Sequence, residues 1–522
     1  MEALAGNGIL LRSDCGGKGL CGKCLVRISD ALPDDIEGRI ESEKDRHSRC
    51  HMACQVKVSG GLSVEIPASS VLHPEVIQKG PMMLPEPIPF PARPATGKTC
   101  RYGLAVDLGT TTIAVYLCDL IGGKIAGSIS VSNPQSMFGD DVISRIGFAA
   151  ENPEHVTRLQ KMAVKSIEWG VTAVCRSTHI DPAHIDSAVV SGNSTMIHLF
   201  AGVNPSSIGF SPHVPFFIED KTFQAGSVGF GFNPSADIFT LPLISGFLGS
   251  DILAAALATD LDKAEEGTVL MDIGTNGEVM LRSQNGLSAA SCATGPAFEG
   301  AAIRHGMHAV SGAIDAVKID RLSGRVACSV IHHNPEAVCR PSGICGSGIV
   351  SAVAELYRAG LVSGDGRLNR HSGSPLIRYD KTGLLEFELV PAGQSQTGQP
   401  ITLTQKDIRA IQLAKGAMLA GMRMLCAEAG LPGPKRLFVA GAFGSFIDKK
   451  AALTIGMFPD LEEERITLVG NGAGAGAVLV LFNPALRDKA RQAARTVKVL
   501  DLASRPEFQK VFLSSLSFPQ LP

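Results

Sequence analysis

The spacing of apolar and polar positions changes along the chain, and each change marks a different kind of segment. Residues 25–29 and 55–66 alternate apolar and polar side chains as strands do, with an acidic, polar stretch between them. Residues 67–100 are rich in proline and lack helical periodicity, which predicts an extended, semi-rigid linker. Beyond the linker, apolar strands alternate with helical runs across glycine-rich turns.

The region after the linker contains an internal repeat. Residues 104–117 and 269–281 each read as an apolar strand, the sequence Asp-x-Gly-Thr, a polar turn and a second strand. Each copy is followed by a strand–glycine–helix unit, at 188–201 and at 437–455, and a last such unit occupies 467–482. This duplication predicts two similar α/β halves that face each other across a cleft.

Composition narrows the functional classes. The chain has 522 residues and a net charge of −2, so nothing favours a nucleic-acid or membrane-surface partner. We find no apolar run long enough to predict a transmembrane helix and no secretory signal pattern, so the expected location is the cytoplasm. Thirteen cysteines, five of them within the first 54 residues, fit a reducing compartment and one metal site rather than a disulfide framework.

Four of these cysteines are spaced like metal ligands: Cys15, Cys21, Cys24 and Cys54. Thiolates are soft ligands that suit iron–sulfur clusters or zinc. The spacing resembles the plant-type ferredoxin pattern with one extra residue in the first gap, and the intervening glycines would let the loop wrap a cluster. A structural zinc site is the alternative, although only one of the usual paired C-x₂-C knuckles is present. Cys50 is a nearby competitor for the role of Cys54.

The paired Asp-x-Gly-Thr hairpins predict a phosphate-binding site. Backbone N–H groups and hydroxyls at such a tip can donate to phosphate oxygens, and two facing tips would clamp a triphosphate. Asp107 and Asp272 are the predicted Mg²⁺ or catalytic carboxylates, and Glu278 would position the attacking water. The predicted nucleotide-binding residues are Gly109, Thr110, Thr111, Thr112, Gly274, Thr275, Asn276, Gly441, Ala442 and Gly444.

Other glycine-rich segments are less specific. Residues 17–22 match a dinucleotide fingerprint, but no strand precedes them. Residues 17–24 match a phosphate loop, except that Cys24 replaces the required Ser or Thr. We therefore reject both interpretations. Residues 470–476 fit a hinge and helix start between the halves better than a dinucleotide site. Residues 291–300 and 343–348 precede predicted helices, where they either touch a ligand or simply start the helix.

Together these motifs resemble the ferredoxin-like, ATP-dependent reductive activators of corrinoid proteins, over nearly the whole chain. Residues 15–24 and 53–55 resemble the [2Fe–2S] domain of that family. The motifs that resemble its ATPase domain, which belongs to the superfamily of actin, sugar kinases and heat-shock chaperones, lie at 102–112, 132–135, 192–196, 272–278, 343–348 and 440–444.

The resemblance implies an α/β fold in which a small β-grasp [2Fe–2S] ferredoxin domain precedes a duplicated actin-like (ribonuclease-H-like) ATPase domain. The ferredoxin domain is expected to be truncated at its N-terminus, because residues 1–4 correspond to the middle of the helix before the cluster loop. The expected domains are the ferredoxin-like domain 1–66, the linker 67–100, the first ATPase half 101–260, the second half 261–485 and a C-terminal extension 486–522.

The implied function is ATP-dependent reactivation of a corrinoid protein, in which one electron from the cluster returns Co(II) to Co(I) for methyl transfer. The implied cofactors are a [2Fe–2S] cluster, ATP and Mg²⁺. The implied partners are a corrinoid protein of a methyltransferase system and an upstream low-potential electron donor, and a homodimer is one possible assembly. Two alternatives stay open: an ATP-driven electron donor to a non-corrinoid redox enzyme, and an ATP-binding regulatory module with a vestigial ferredoxin part.

Overall fold

A small antiparallel sheet forms the N-terminal part of the structure. The computed structural model describes residues 4, 9, 11, 19, 22–28, 50–58, 63–67, 70–71, 84, 101–139, 141–274, 276–295, 297–298, 300, 303–321, 323–332, 339–441 and 446–521. Strand β1 (Leu25–Ile28) lies between β2 (Cys50–Met52) and β3 (Val64–Glu65). The predicted first strand is therefore confirmed, whereas residues 56–58 of the predicted second alternation are not in a strand.

The first half of the large domain is built on a six-stranded sheet of order β6-β5-β4-β7-β9-β8. The central strand β4 is buried at all seven positions, which explains why Asp107 is its one charged residue. The strands and α-helices of the first half are β4 (Tyr102–Leu108), β5 (Thr112–Asp119), β6 (Lys124–Ser132), α1 (Val142–Glu151), α2 (Pro153–Thr178), β7 (Ile185–Gly192), α3 (Ser194–Phe200), α4 (Ser206–Gly209), β8 (Lys221–Gln224), α5 (Ala225–Val228), β9 (Asp237–Thr240) and α6 (Ser250–Ala258).

The second half is built on a sheet of order β20-β19-β10-β11-β12-β21 and carries two inserted three-stranded sheets, β14-β13-β15 and β16-β17-β18. Its strands are β10 (Thr268–Ile273), β11 (Gly277–Ser283), β12 (Gly286–Cys292), β13 (Ala313–Ile319), β14 (Val326–Val330), β15 (Gly343–Ile344), β16 (Ile377–Tyr379), β17 (Leu385–Val390), β18 (Ile401–Thr404), β19 (Arg436–Ala440), β20 (Ile466–Gly470) and β21 (Lys498–Val499). Its helices are α7 (Gly346–Arg358), α8 (Gln405–Glu428), α9 (Lys449–Thr454), α10 (Gly472–Phe482), α11 (Leu486–Thr496) and α12 (Phe508–Ser514).

Five strands of each large sheet share one topology, and the sixth strand, β8 or β21, is added at a different edge. In each, three antiparallel strands in sequence (β4–β6 and β10–β12) are extended from the first strand by two parallel strands, β7 and β9 in one half and β19 and β20 in the other. Each half also sends a long helix, α2 or α8, across the antiparallel strands. The prediction of a duplicated α/β domain is therefore confirmed.

The halves meet where helices α6 and α10 cross in direct backbone contact. A Cβ atom on Gly476 would lie 2.1 Å from the carbonyl oxygen of Ala254, and one on Gly472 would lie 2.7 Å from the Cβ of Ala255. Side chains from both helices share one apolar core with strands of both sheets. The predicted helix start at residues 470–476 is confirmed, and its role as a hinge stays a prediction.

The C-terminal segment packs onto the second half. Strand β21 pairs with β12, and the segment after α12 accepts hydrogen bonds from the side chains of Tyr357 and Lys415 through the carbonyls of Pro519 and Ser517, both at 2.6 Å. Across the described residues, no helix combines the length and the apolar character needed to cross a bilayer.

Candidate active site and cluster site

One cavity of about 640 Å³ opens between the two halves, and both hairpin tips reach it. This volume is in the usual range for small-molecule sites. The predicted site residues that line it are Asp107, Gly109, Thr110, Thr111, Thr112, Asp272, Gly274, Asn276, Glu278 and Gly441. Three others, Thr275, Ala442 and Gly444, lie outside the described residues.

The first tip is held by side chains from distant parts of the first half. The N–H of Gly109 donates to the carbonyl of Thr112 at 3.1 Å, and a Cβ on Gly109 would lie only 2.5 Å from that oxygen, so the tight turn requires glycine. Asn133 donates to the Gly109 carbonyl at 2.9 Å, and Asn193 donates to the hydroxyl of Thr110 at 2.9 Å. Asn133 and Asn193, which belong to the motifs at 132–135 and 192–196, therefore both support the tip.

A buried arginine completes this support. Arg145, on α1, is fully buried and donates to the carbonyl of Thr110 and to the carbonyl of Gly139 at 2.8 Å. Arg145 was not predicted from the sequence, because an isolated arginine in an amphipathic helix gives no signal of a partner 35 residues away.

The second tip rests on the glycine that follows β19. Gly441 has a φ of +99°, and a Cβ there would lie 2.4 Å from the carbonyl of Ile273 and 2.7 Å from Oδ1 of Asp272. Only glycine permits this approach. Strand β19 and its glycine turn therefore lie directly against the Asp272 tip.

A second carboxylate pair faces the cavity beside Asp272. Glu278 is the cross-strand neighbour of Asp272, and burial raises its pKa well above the ordinary value, with smaller contributions from the charges of Asp251 and Asp272. Asp251, which was not predicted from the sequence, is half-buried in the first turn of α6 and lines the same cavity. Acidic residues are common in first helical turns, so nothing in the sequence around Asp251 distinguishes it as a site residue.

These residues fit a magnesium–nucleotide complex. Mg²⁺ keeps several waters and takes one or two carboxylates plus substrate phosphates rather than a closed protein cage. Among the described residues, no three His, Cys, Asp or Glu side chains form a metal cage, whereas carboxylates from both tips border the cavity. The cavity is also lined by residues of α7 and α9 and their preceding loops, among them Gly346, Ser347, Glu355, Arg358 and Asp448.

Two of the predicted cluster ligands lie together in the N-terminal sheet. A hydrogen bond with Cys24 is the main cause of the lowered pKa of the Cys54 thiol, about 6, and the side chain of Gln55 and the backbone of Gly19 also hydrogen-bond to Cys54. Such sulfurs surrounded by donors fit an iron–sulfur cluster. Cys50 pairs across the strands with Arg27, on the register of β1 and β2, and hydrogen-bonds to it. Cys15 and Cys21 lie outside the described residues.

Three known domain families match consecutive parts of the chain. Residues 1–59 match the 2Fe-2S iron-sulfur cluster binding domain, residues 102–264 match the RACo middle region, and residues 266–521 match the C-terminal domain of RACo, the ASKHA domain. These matches confirm the predicted fold class and the predicted use of a [2Fe–2S] cluster and ATP.

Two relatives and one solved structure are similar over most of their length. The corrinoid activation enzyme RamQ of Eubacterium limosum is 35% identical over 425 residues, which are 80% of this chain and 70% of the relative. A [Co(II) methylated amine-specific corrinoid protein] reductase of Methanosarcina barkeri is 25% identical over 80% of this chain and 77% of its own. The structure of a reductive activator for corrinoid, iron-sulfur protein superposes with a TM-score of 0.73 at 30% identity, covering 99% of this chain and 95% of that one.

Proposed function

The chain belongs to the family of reductive activators of corrinoid proteins, and from this we propose that it uses ATP to deliver one electron to a corrinoid protein. In the proposed reaction a [2Fe–2S] cluster, when bound in its reduced form, supplies the electron that converts Co(II) to Co(I), while ATP and water become ADP and phosphate. The observation that carries this proposal is the cavity in which both Asp-x-Gly-Thr tips meet.

The residues of the two tips would divide the nucleotide between them. Backbone N–H groups and hydroxyls of Gly109, Thr110, Thr111, Thr112, Gly274 and Asn276 would bind phosphate oxygens. Asp107 and Asp272 would hold Mg²⁺, partly through water. Gly441 would give the nucleotide close access to the backbone, and Thr275, Ala442 and Gly444 remain proposed contacts from the sequence.

The attacking water would lie between Asp251 and Glu278. Asp251 is the more exposed of the two and stands in the first turn of α6, where the helix dipole favours a negative charge. It is therefore the better group to accept the proton of the water. Glu278, buried and with a raised pKa, would act through hydrogen bonding to the water rather than as the base.

The electron would start from a cluster held by Cys15, Cys21, Cys24 and Cys54. The adjacent Cys24 and Cys54 support half of this ligand set. The cluster domain is proposed to span residues 1–66 and the linker residues 67–100, so that the cluster can approach the cobalt. A low-potential electron donor would then reduce the cluster again. The ten described cysteines form no disulfide with one another, as expected for the reducing cytoplasmic location that we propose. A homodimer is likewise a proposal.

The test is to follow Co(I) formation optically in a Co(II) corrinoid protein, with a low-potential reductant, with and without ATP. We expect ATP-dependent reduction that is lost in Asp272→Asn and in Cys24→Ser. Cys50→Ser is the matched control for the cysteine change, because Cys50 faces Arg27, and it should keep the cluster and the activity. ATP hydrolysis without cobalt reduction, in protein that contains iron and sulfide, would contradict the proposed acceptor.

A further inference from the structure

A loop of the first half exposes several large apolar side chains that do not line the cavity. In residues 210–218, here called the apolar loop, Phe210 is 67% exposed, Val214 58%, Phe216 77% and Ile218 40%. The sequence from residue 205 to residue 218 contains no Lys, Arg, Asp or Glu. Contiguous exposed apolar side chains of this kind mark interaction surfaces in soluble proteins.

Buried contacts hold the base of the apolar loop in place. The exposed aromatic side chains are therefore not needed to fix the conformation of the loop. Phe217 is buried and stacks on the ring of His198 at 4.2 Å between centroids. The N–H groups of Phe216 and Phe217 donate to Nε2 of His198 at 3.1 and 3.4 Å, and the carbonyl of Ile218 accepts from Leu243 at 2.8 Å. The side chains of Phe216 and Ile218, on either side of buried Phe217, project outward.

One route from this base leads to the first hairpin tip. His198 lies on the seven-residue helix α3, where its Nδ1 contacts the carbonyl of Ser194 at 2.7 Å. Asn193 caps the start of that helix and donates to the hydroxyl of Thr110 in the cavity. One short, buried helix therefore connects the first hairpin tip to the apolar loop.

A second route runs through the segment that precedes α6. A Cβ on Gly246 would lie 2.3 Å from the carbonyl of His213 in the apolar loop, and a Cβ on Gly249 would lie 2.4 Å from Cα of Asn193. Two residues later, Asp251 borders the cavity. Both contacts are backbone to backbone, so neither can absorb movement by rotating a side chain.

We propose that the apolar loop is the docking surface for the corrinoid protein, and that nucleotide in the cavity controls its affinity; this rests on the function proposed above. The four exposed side chains present on the order of 400 Å² of apolar surface, about half of the ~800 Å² that each partner contributes to a standard interface. That area suits the centre of a reversible contact better than a permanent homodimer, whose apolar interface is larger. A partner that must leave after each electron transfer needs such a reversible contact.

The test is to measure the affinity of the full chain for the Co(II) corrinoid protein, with and without a non-hydrolysable ATP analogue. In Phe210→Ser/Phe216→Ser we expect a Kd at least tenfold higher, with unchanged basal ATP hydrolysis and cluster absorbance. The reciprocal effect of the corrinoid protein on affinity for the analogue should also disappear. Tyr379→Ser, which removes a 57% exposed aromatic side chain from the second half, is the matched control.

Each outcome separates the two proposals. If the wild-type chain reduces cobalt and the double variant binds the corrinoid protein equally well, the docking surface is elsewhere. If sedimentation shows a wild-type dimer that the double variant converts to a monomer, the occupant is a second copy and the proposal is wrong. If the wild-type chain produces no Co(I) at all, the proposed function itself fails. A Val214→Ser variant repeats the measurement should the double variant be unstable.

Discussion

The two hairpins that meet at the cavity have the same sheet around them but differ in register. In the first, Asp107 is paired with Ala114 and the tip comprises residues 109–112. In the second, Asp272 is paired with Glu278 and the tip comprises residues 274–276. A tip shorter by one residue changes which side chain stands opposite the aspartate, since a shift of one position reverses the face to which a side chain points.

Because of this difference, the two halves share a fold but place more carboxyl groups beside the second hairpin than beside the first. Asp107 is paired across the strands with the methyl group of Ala114, whereas Asp272 is paired with the carboxyl group of Glu278. Asp251 from the first half adds a third carboxyl group near Glu278. We therefore expect both halves to bind the phosphates, and the water to react on the side of Asp272.

The largest expected effect tests whether both tips serve one metal–phosphate group. Asp107→Asn and Asp272→Asn should each lower kcat for ATP hydrolysis by about 10²–10³, the usual cost of losing one preorganised charge contact. The double variant should fall little further, because groups that act as a unit are not additive. Steady-state ATPase rates check this, with thermal melts to verify folding. A double-variant loss equal to the product of the single losses would indicate independent tips.

Asp251→Asn tests which side of the cavity holds the reacting water. We expect kcat for ATP hydrolysis to fall by about 10²-fold while the affinity for an ATP analogue stays within threefold, as for loss of a general base. Isothermal titration and ATPase assays separate the two quantities. Asp460→Asn, at an exposed position, is the matched control and should change neither. Weakened binding with normal kcat would instead make Asp251 a binding residue.

The long helices α2 and α8 also differ, because only α8 carries a buried lysine under the C-terminal segment. Burial lowers the pKa of Lys415 from 10.5 to about 7. Between these values the unfolded chain binds more protons, so the free energy of unfolding should rise as pH increases from 7 to 10.5.

In Lys415→Met the contribution of this lysine to the pH dependence should vanish. The free energy of unfolding should then rise by less than in the wild type between pH 7 and pH 10, by on the order of 3 kcal/mol. Urea unfolding of both proteins at the two pH values measures it. Lys406→Met, at an exposed position on the same helix, should keep the wild-type slope. Parallel stability profiles for wild type and Lys415→Met would mean that Lys415 stays charged in the folded protein.

The smallest effect concerns a polar contact between the halves. The amide of Asn471, at the start of α10, donates to the hydroxyl of Tyr116 on β5 at 2.8 Å, and both groups are buried. Tyr116→Phe leaves that donor without its acceptor and should cost about 1–2 kcal/mol in urea unfolding. Tyr379→Phe, at an exposed position, should cost nothing measurable. Equal losses of unfolding free energy in Tyr116→Phe and Tyr379→Phe would show that the hydrogen bond between Asn471 and Tyr116 does not stabilise the protein.

The repeat and its chemistry could be predicted because they are local in sequence. Strand, Asp-x-Gly-Thr and strand lie within about 14 residues, so Asp107 and Asp272 could be located before the fold was known. The register difference could not, because it depends on which residues pair across each turn. Arg145 and Asp251 were missed because their partners are distant in sequence and their local settings are ordinary for helices.

The contact between α6 and α10 has a mechanical consequence. Both helices begin at the cavity, with Asp251 on one and Ala473 on the other among its lining residues, and their closest approach lies within about a turn of those ends. A rotation of the two halves about this crossing would therefore have a short arm to the cavity and a long arm to the outer rims. A small closure at the cavity would then become a much larger displacement at the rims, where a partner protein could detect it.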